Sequence, residues 1–185
     1  MPYFVMTCEG VYPMAVLEKG PDLGQPPWYH GGKLDEPTLP LVYILDSSRP
    51  GNLKAMYEGM EYPIMRTDLV EALLAAGVDN LQLFQAVIRD PENGKEYKDY
   101  QSFNIVGVVS AADMEKSILM GTSDSRMIDA DFDSLIINEQ KAAPFRLFRL
   151  AENVSAIITD DVVRQEVERR GIPGMEFYDP ADWSG

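Results

Sequence analysis

The residues able to do chemistry in this chain are few. His30 is the sole histidine and Cys8 the sole cysteine. A serine–histidine–acid system would have to run through His30. Its flanks, Tyr29 and Gly31-Gly32, carry no signature of a general base. Zinc sites draw on clusters of histidine and cysteine, and one of each makes no cluster. Cys8 ends an apolar run, Tyr3 to Cys8, and reads as a buried structural thiol unless a base lies beside it. Asp129-Ala-Asp131-Phe-Asp133-Ser134 has the alternating acids that open a calcium loop. That loop needs glycine at its sixth position and a bidentate glutamate at its twelfth. Ser134 and Gln140 stand there instead, so the acids read as a solvated turn or an acidic contact surface. No Gly-x-x-x-x-Gly-Lys phosphate loop is present, and no Gly-x-Gly-x-x-Gly fingerprint follows a strand. The residues therefore supply no catalytic, cofactor-binding or metal-binding set, and no cofactor is expected.

One loop keeps a second reading open. Gly20 to Gly32 is dense in glycine and proline, which break both helix and sheet, and it carries Trp28, Tyr29 and His30. Such aromatics either meet a partner or fold back over the core. Trp28 and Tyr29 are accordingly candidate partner contacts. An enzyme or small-ligand site built on Trp28 to His30 is the alternative, and it would need a deep pocket and carboxylates from elsewhere.

The formal charge is -14, from 30 acidic against 16 basic residues. Binding of nucleic acid without regard to sequence needs lysine and arginine to displace counterions, so nucleic acid is not an expected partner. Anionic membrane surfaces are disfavoured for the same reason. The charge is compatible with a basic protein partner, through electrostatic steering, and equally with solubility alone; Asp129, Asp131 and Asp133 are the candidate contacts. One cysteine permits no intrachain disulfide, and no basic-then-apolar leader or long apolar span is visible, so the expected compartment is the cytoplasm.

The elements that must position these residues are organised around Thr67 to Val87. Leu69, Val70, Leu73 and Leu74 fall at helical spacing. Thr67 or Asp68 is the expected cap, and Gly77 suits the left-handed residue beyond the helix end. Leu81, Leu83, Gln85 and Val87 then share one face of a strand. The order helix, glycine, strand returns with a helix over Asp161 to Arg170, then Gly171 and the run to Tyr178. Strands are expected at Tyr3–Cys8, Leu41–Leu45, Phe103–Val109, Leu135–Ile137, Phe145–Leu150 and Ser155–Ile158. A short helix is expected over Leu53–Met60, and a polar edge strand over Lys95–Tyr100 after the Asn93-Gly94 turn. The tail after Tyr178 is expected to be loose. Runs of strands without regularly alternating helices predict a single α+β domain over residues 1–185, mainly antiparallel, with two to three helices.

Three stretches then carry a resemblance. The first is Tyr62-Pro63 followed by Leu69-Val70, Leu73-Leu74, Gly77-Val78 and Asn80-Leu81-Gln82. The second runs from Asn104 through Gly107 to Asp113, Glu115, Lys116 and Ser117. The third is Leu147-Phe148-Arg149-Leu150, then Ile157, Asp160, Val163, Gly171-Ile172 and Gly174-Met175-Glu176-Phe177. In order and spacing the chain resembles a bacterial family first catalogued as a domain of unknown function. That family was then proposed as the eleventh immunity-protein family of polymorphic toxin systems. The family-like core spans residues 61–178, and residues 1–60 stand outside it. At Ser110-Ala111-Ala112 the chain departs from a more acidic or cysteine-containing pattern, and no role is carried to those positions. The resemblance implies an intracellular, non-enzymatic protein that binds and neutralises a cognate protein toxin. It implies no catalytic residues. Asn104, Gly107, Asp113 and Lys116 have scaffolding readings: backbone partners for Asn104 and Asp113, a close backbone approach at Gly107, and a Lys116–Asp113 pair.

Overall fold

The computed structural model describes residues 1–120 and 130–185 of the chain. Asp129 lies outside the described residues. In chain order the elements are β1 (Tyr3–Cys8), β2 (Leu17–Lys19), β3 (Leu41–Leu45), β4 (Met56–Tyr57), β5 (Ile64–Arg66), α1 (Thr67–Ala75) and β6 (Leu81–Arg89). There follow β7 (Glu96–Ile105), β8 (Val108–Val109), β9 (Ile118–Leu119), β10 (Phe132–Ser134) and α2 (Glu139–Ala142). The chain closes with β11 (Leu147–Leu150), β12 (Ile157–Asp160), α3 (Asp161–Arg170), β13 (Met175–Tyr178) and a 3-10 turn at Pro180–Asp182. One sheet has the order β13-β1-β12-β11-β8, another β2-β3-β6-β7-β5-β4, and β9 pairs with β10. Most pairings are antiparallel, with β3–β6 and β8–β11 parallel. This is the α+β architecture that the sequence predicts.

Both sheets give one face to a common core around the two longer helices. Leu69, Val70 and Leu73 of α1 and Val163 and Val167 of α3 meet Met6, Cys8, Phe103, Ile105, Leu147 and Ile157. Full burial of such side chains stabilises the fold by about 1.5–3 kcal/mol each, which is why the helical spacing of these apolar residues is legible in the sequence. The far face of the six-stranded sheet is covered by Trp28 and its loop. The far face of the five-stranded sheet is covered by Ala111, Phe132, Leu135 and Ala142. The helix-then-strand unit is used twice as expected, α1 feeding β6 in one sheet and α3 feeding β13 in the other.

Several local expectations are corrected. Arg66 rather than Thr67 occupies the capping position of α1 and supplies no side-chain bond. Asp68 does accept from a free N–H of the first turn, that of Leu69, at 2.8 Å. The same carboxylate also binds the Arg66 guanidinium, at 2.8 and 2.7 Å. Helix α3 is capped at both ends, with Asp160 accepting from the Val163 N–H at 3.0 Å and Gly171 left-handed at φ 64°. Leu53–Met60 is not helical: Met56–Tyr57 is strand β4 and Glu58-Gly59 a turn. Met56 enters one core and Tyr57 the other, and only a period of two sends adjacent side chains to opposite faces. Lys95–Tyr100 is no separate edge strand but the start of the long β7. Its first residues pair with β6, and from Tyr100 it is flanked by β5 as well. The strand expected at Leu135–Ile137 falls earlier, at Phe132–Ser134, and Ile137 makes an isolated bridge to Ala112. The tail is docked: Trp183 packs against the third core cluster, and the Gly185 N–H donates to the Phe132 carbonyl at 3.2 Å.

Candidate functional site

The site is best built from Gln82 and Asn104. They face each other across the β6–β7 hairpin, whose turn is set by Asn93-Gly94, with Gly94 at φ 72°. Both side chains point at the loop that carries the aromatics. Gln82 bonds Leu34 through both of its amide atoms, accepting from the Leu34 N–H at 2.9 Å and donating to the Leu34 carbonyl at 3.0 Å. Asn104 is buried and donates to the Gly32 carbonyl at 2.8 Å and to Gln82 Oε1 at 3.0 Å. Just past β7 the Gly107 N–H donates to the Gly31 carbonyl at 2.7 Å. The approach there needs glycine. A Cβ on Gly31 would stand 2.7 Å from the Gly107 carbonyl carbon, and Gly31 itself has φ +69°.

Arg149 completes the clamp from the other sheet. It lies on β11, is 1% exposed, and its guanidinium sits over the Tyr29 ring, 5.0 Å from the centroid. Its Nη1 donates to the Val154 carbonyl at 2.7 Å, while Nε and Nη2 have no hydrogen-bond partner among the described residues. Burial pulls the Arg149 guanidinium down to about 10, against the smaller opposing pull of Tyr29 and Glu58. The Tyr29 hydroxyl donates to the Met60 carbonyl, and burial raises its pKa. Trp28 is 3% exposed, packed between Tyr62 and Phe84 with ring centroids at 5.1 and 5.0 Å. Of the loop's aromatic pair, then, Trp28 covers the core and Tyr29 is half-buried over a cation. His30 and Lys33 are exposed beyond them.

Beside the root of this loop lies a cavity of about 440 Å³ walled by Glu18, Lys19, Asp22, Met60, Glu61 and Tyr62, among others. The Trp28 backbone N–H donates to the Glu61 carbonyl at 2.9 Å, and the Tyr62 hydroxyl donates to the Gln25 carbonyl at 2.7 Å, so loop and cavity share a frame. Glu18, Asp22 and Glu61 are exposed, and none makes an ion pair with another described residue. Most described cations are already occupied, as in Arg49–Asp46, Arg66–Asp68, Arg89–Glu96 and Lys116–Asp113. The acid surplus therefore stands uncompensated on the surface.

Asp131 and Asp133 flank Phe132 and are exposed. Hydrogen bonds lead from the clamped loop toward them: Gly107 to Gly31, Ala151 to the Val109 carbonyl, and Ala130 to the Glu152 carbonyl. Cys8 is buried, and desolvation raises its thiol pKa, away from a nucleophile's needs. Lys116 pairs with Asp113 at 2.6 Å across a turn, which lowers the Asp113 pKa. Among the described residues no group of three histidine, cysteine or acidic side chains is placed to hold a metal ion. No helix among them is long and apolar enough to cross a membrane.

A family model described as Immunity protein family (Imm11) matches residues 67–182. The chain belongs to that family. No curated protein matched the chain. The Imm11 match begins at α1 and takes in Gln82, Asn104, Gly107 and Arg149, whereas the loop these residues hold lies before it. Arg149 is the residue that sequence reasoning missed. Its signal was present as a lone cation inside the apolar run Leu147-Phe148-Arg149-Leu150, where a buried charge needs a reason.

Proposed function

We propose that this chain is a non-enzymatic immunity protein that binds and neutralises a cognate protein toxin in the cytoplasm. Membership of the Imm11 family over residues 67–182 carries the reading. The uncompensated acid surplus supports a toxin with a basic surface, because opposite fields steer encounter and disfavour wrong partners. Asp131, just before β10, and Asp133, within it, are both exposed and are the proposed steering contacts. A small-ligand or enzyme site on Trp28 to His30 gains nothing from the geometry: Trp28 is buried, and none of Trp28, Tyr29 and His30 lines the cavity beside the loop.

The test is a pull-down from the native host's lysate at low and moderate salt. Each captured polypeptide is then expressed alone and together with this chain. A stoichiometric partner that stops growth alone, and is harmless when co-expressed, is the expected result. Recovery of no toxic partner from a lysate that expresses the toxin contradicts the proposal.

A further inference from the structure

The polar side chains of the family-matched region are placed unusually. Gln82, Asn104 and Arg149 come from three strands in two sheets, and each is turned onto the segment Tyr29 to Leu34. Asn104 is 1% exposed and Arg149 is 1% exposed, so buried polar groups are committed to a surface loop that includes neither helix nor strand. A loop that only closed the chain over its core would need the apolar seal already given by Trp28 and Leu34. It would not need a bidentate amide, a buried asparagine, a glycine–glycine backbone approach and a stacked cation. Holding a loop this way removes its conformational freedom before binding, which is how inhibitor loops gain affinity. What the clamp presents is His30, Gly32, Lys33, Asp35 and Glu36, all exposed.

The wall beside the loop states the chemistry of what it meets. Glu18, Asp22 and Glu61 surround a cavity of about 440 Å³ with Met60 and Tyr62 in its wall, and Lys19 is the one cation among its lining residues. The lining suits an arginine or lysine side chain, with Met60 and Tyr62 for its aliphatic stem and an acidic surplus for its charged head.

We infer that the clamped segment Tyr29–Glu36, with the acidic socket at its root, is the surface that holds the toxin, which inserts a basic side chain between Glu18, Asp22 and Glu61. The inference rests on the immunity reading and names the surface that the reading leaves open. Gln82, Asn104, Gly107 and Arg149 are positioning residues here. They reach the toxin only through the loop they hold. Asp131 and Asp133 act at longer range, on the rate of encounter.

The experiment places a photo-activated benzoyl-phenylalanine at position 33, with position 165 on the outer side of α3 as control, in the full-length chain in its host. The cross-linked polypeptide is identified and expressed alone to establish toxicity. Its affinity for the chain is then measured with an Asp22→Lys/Glu61→Lys variant, whose changes are on exposed side chains and whose melting temperature is recorded alongside. A cross-link from position 33 to a polypeptide that is toxic alone, with at least a tenfold loss of affinity in the variant and an unchanged melting temperature, is the expected result. A toxic polypeptide that cross-links from position 165 and not from 33, or that binds the Asp22→Lys/Glu61→Lys variant as tightly as the native chain, overturns the surface while leaving the immunity reading intact. If the toxin is expressed and the chain neither cross-links to it nor protects cells from it, the immunity reading falls and the inference falls with it.

Discussion

The guanidinium of Arg149 lies 5.0 Å from the ring centroid of Tyr29, joining the five-stranded sheet to a loop packed on the other sheet. A buried cation with two of its three nitrogens unbonded among the described residues is costly, and the Tyr29 ring, with the charge of Glu58, offsets part of that cost. Arg149→Met keeps most of the stem and drops the charged head. Its stability in urea is expected within about 1 kcal/mol of the native chain, whereas Arg149→Ala is expected to lose about 2–4 kcal/mol through the cavity left behind. Tyr29→Leu is expected to cost about 1–2 kcal/mol when Arg149 is present and less beside Arg149→Met. Strict additivity of the two changes would show that the stacking does nothing.

At the other end of the clamp, Gly31→Ala meets two obstacles at once. The backbone is left-handed at φ +69°, and the new Cβ would stand 2.7 Å from the Gly107 carbonyl carbon. The expected loss is about 1–3 kcal/mol, concentrated in the loop. Amide hydrogen exchange at Gly107, whose N–H bonds the Gly31 carbonyl, is expected to speed up, while exchange in α3 stays as it was. Uniform acceleration across the chain would mean that the loop is not a separable unit.

Trp28 is a packing residue by position. Trp28→Ala is expected to cost about 3–5 kcal/mol, the range for removing a buried aromatic. Because Trp28 Nε1 has no hydrogen-bond partner among the described residues, Trp28→Phe loses area but no bond and is expected to cost much less. Denaturant titration of both variants distinguishes these outcomes; equal costs would point to an undetected role for the indole N–H.

Acid sensitivity is expected to pass through α3. Glu166 is held between Arg169 and Arg170 at 2.7 and 2.8 Å, and these bonds lower its carboxyl from 4.5 to about 2. A depressed carboxyl stabilises the fold above its unfolded value, and that contribution is lost as pH falls through the folded value. The melting-temperature gap between the native chain and Glu166→Gln should therefore be full above pH 4.5 and close as the pH falls toward about 2. A gap that is constant over this range contradicts the assignment.

Charge reversal at Asp131 and Asp133 bears on encounter rather than on folding. Both side chains are exposed, so the melting temperature is expected to stay within a degree or so. Association with the toxin should slow by about tenfold at low salt and converge with the native rate as salt rises. An unchanged association rate at low salt would remove these residues from the steering of encounter.

Much of the fold was legible because apolar periodicity reports burial directly. Leu69, Val70 and Leu73 gave α1, and the returning order of helix, glycine and strand gave α3. The misread stretches are those whose neighbours decide their state. Met56 and Tyr57 look like part of a helical run until two separate cores claim them. The polar opening of β7 looks like an edge because its outer flank is open up to Tyr100. The site was less legible for a related reason. The aromatic loop and the motif around Arg149 were each visible, but nothing in a linear sequence says that Tyr29, in a loop packed on one sheet, meets Arg149 on a strand of the other.

Amide hydrogen exchange of the chain alone and in complex with its toxin tests the central claim most directly. Protection on binding is expected at residues 29–36 and at Gly59 to Tyr62, with little change at Asp161 to Arg170. Protection confined to α3, with the loop exchanging as fast in the complex as in the free chain, would contradict it.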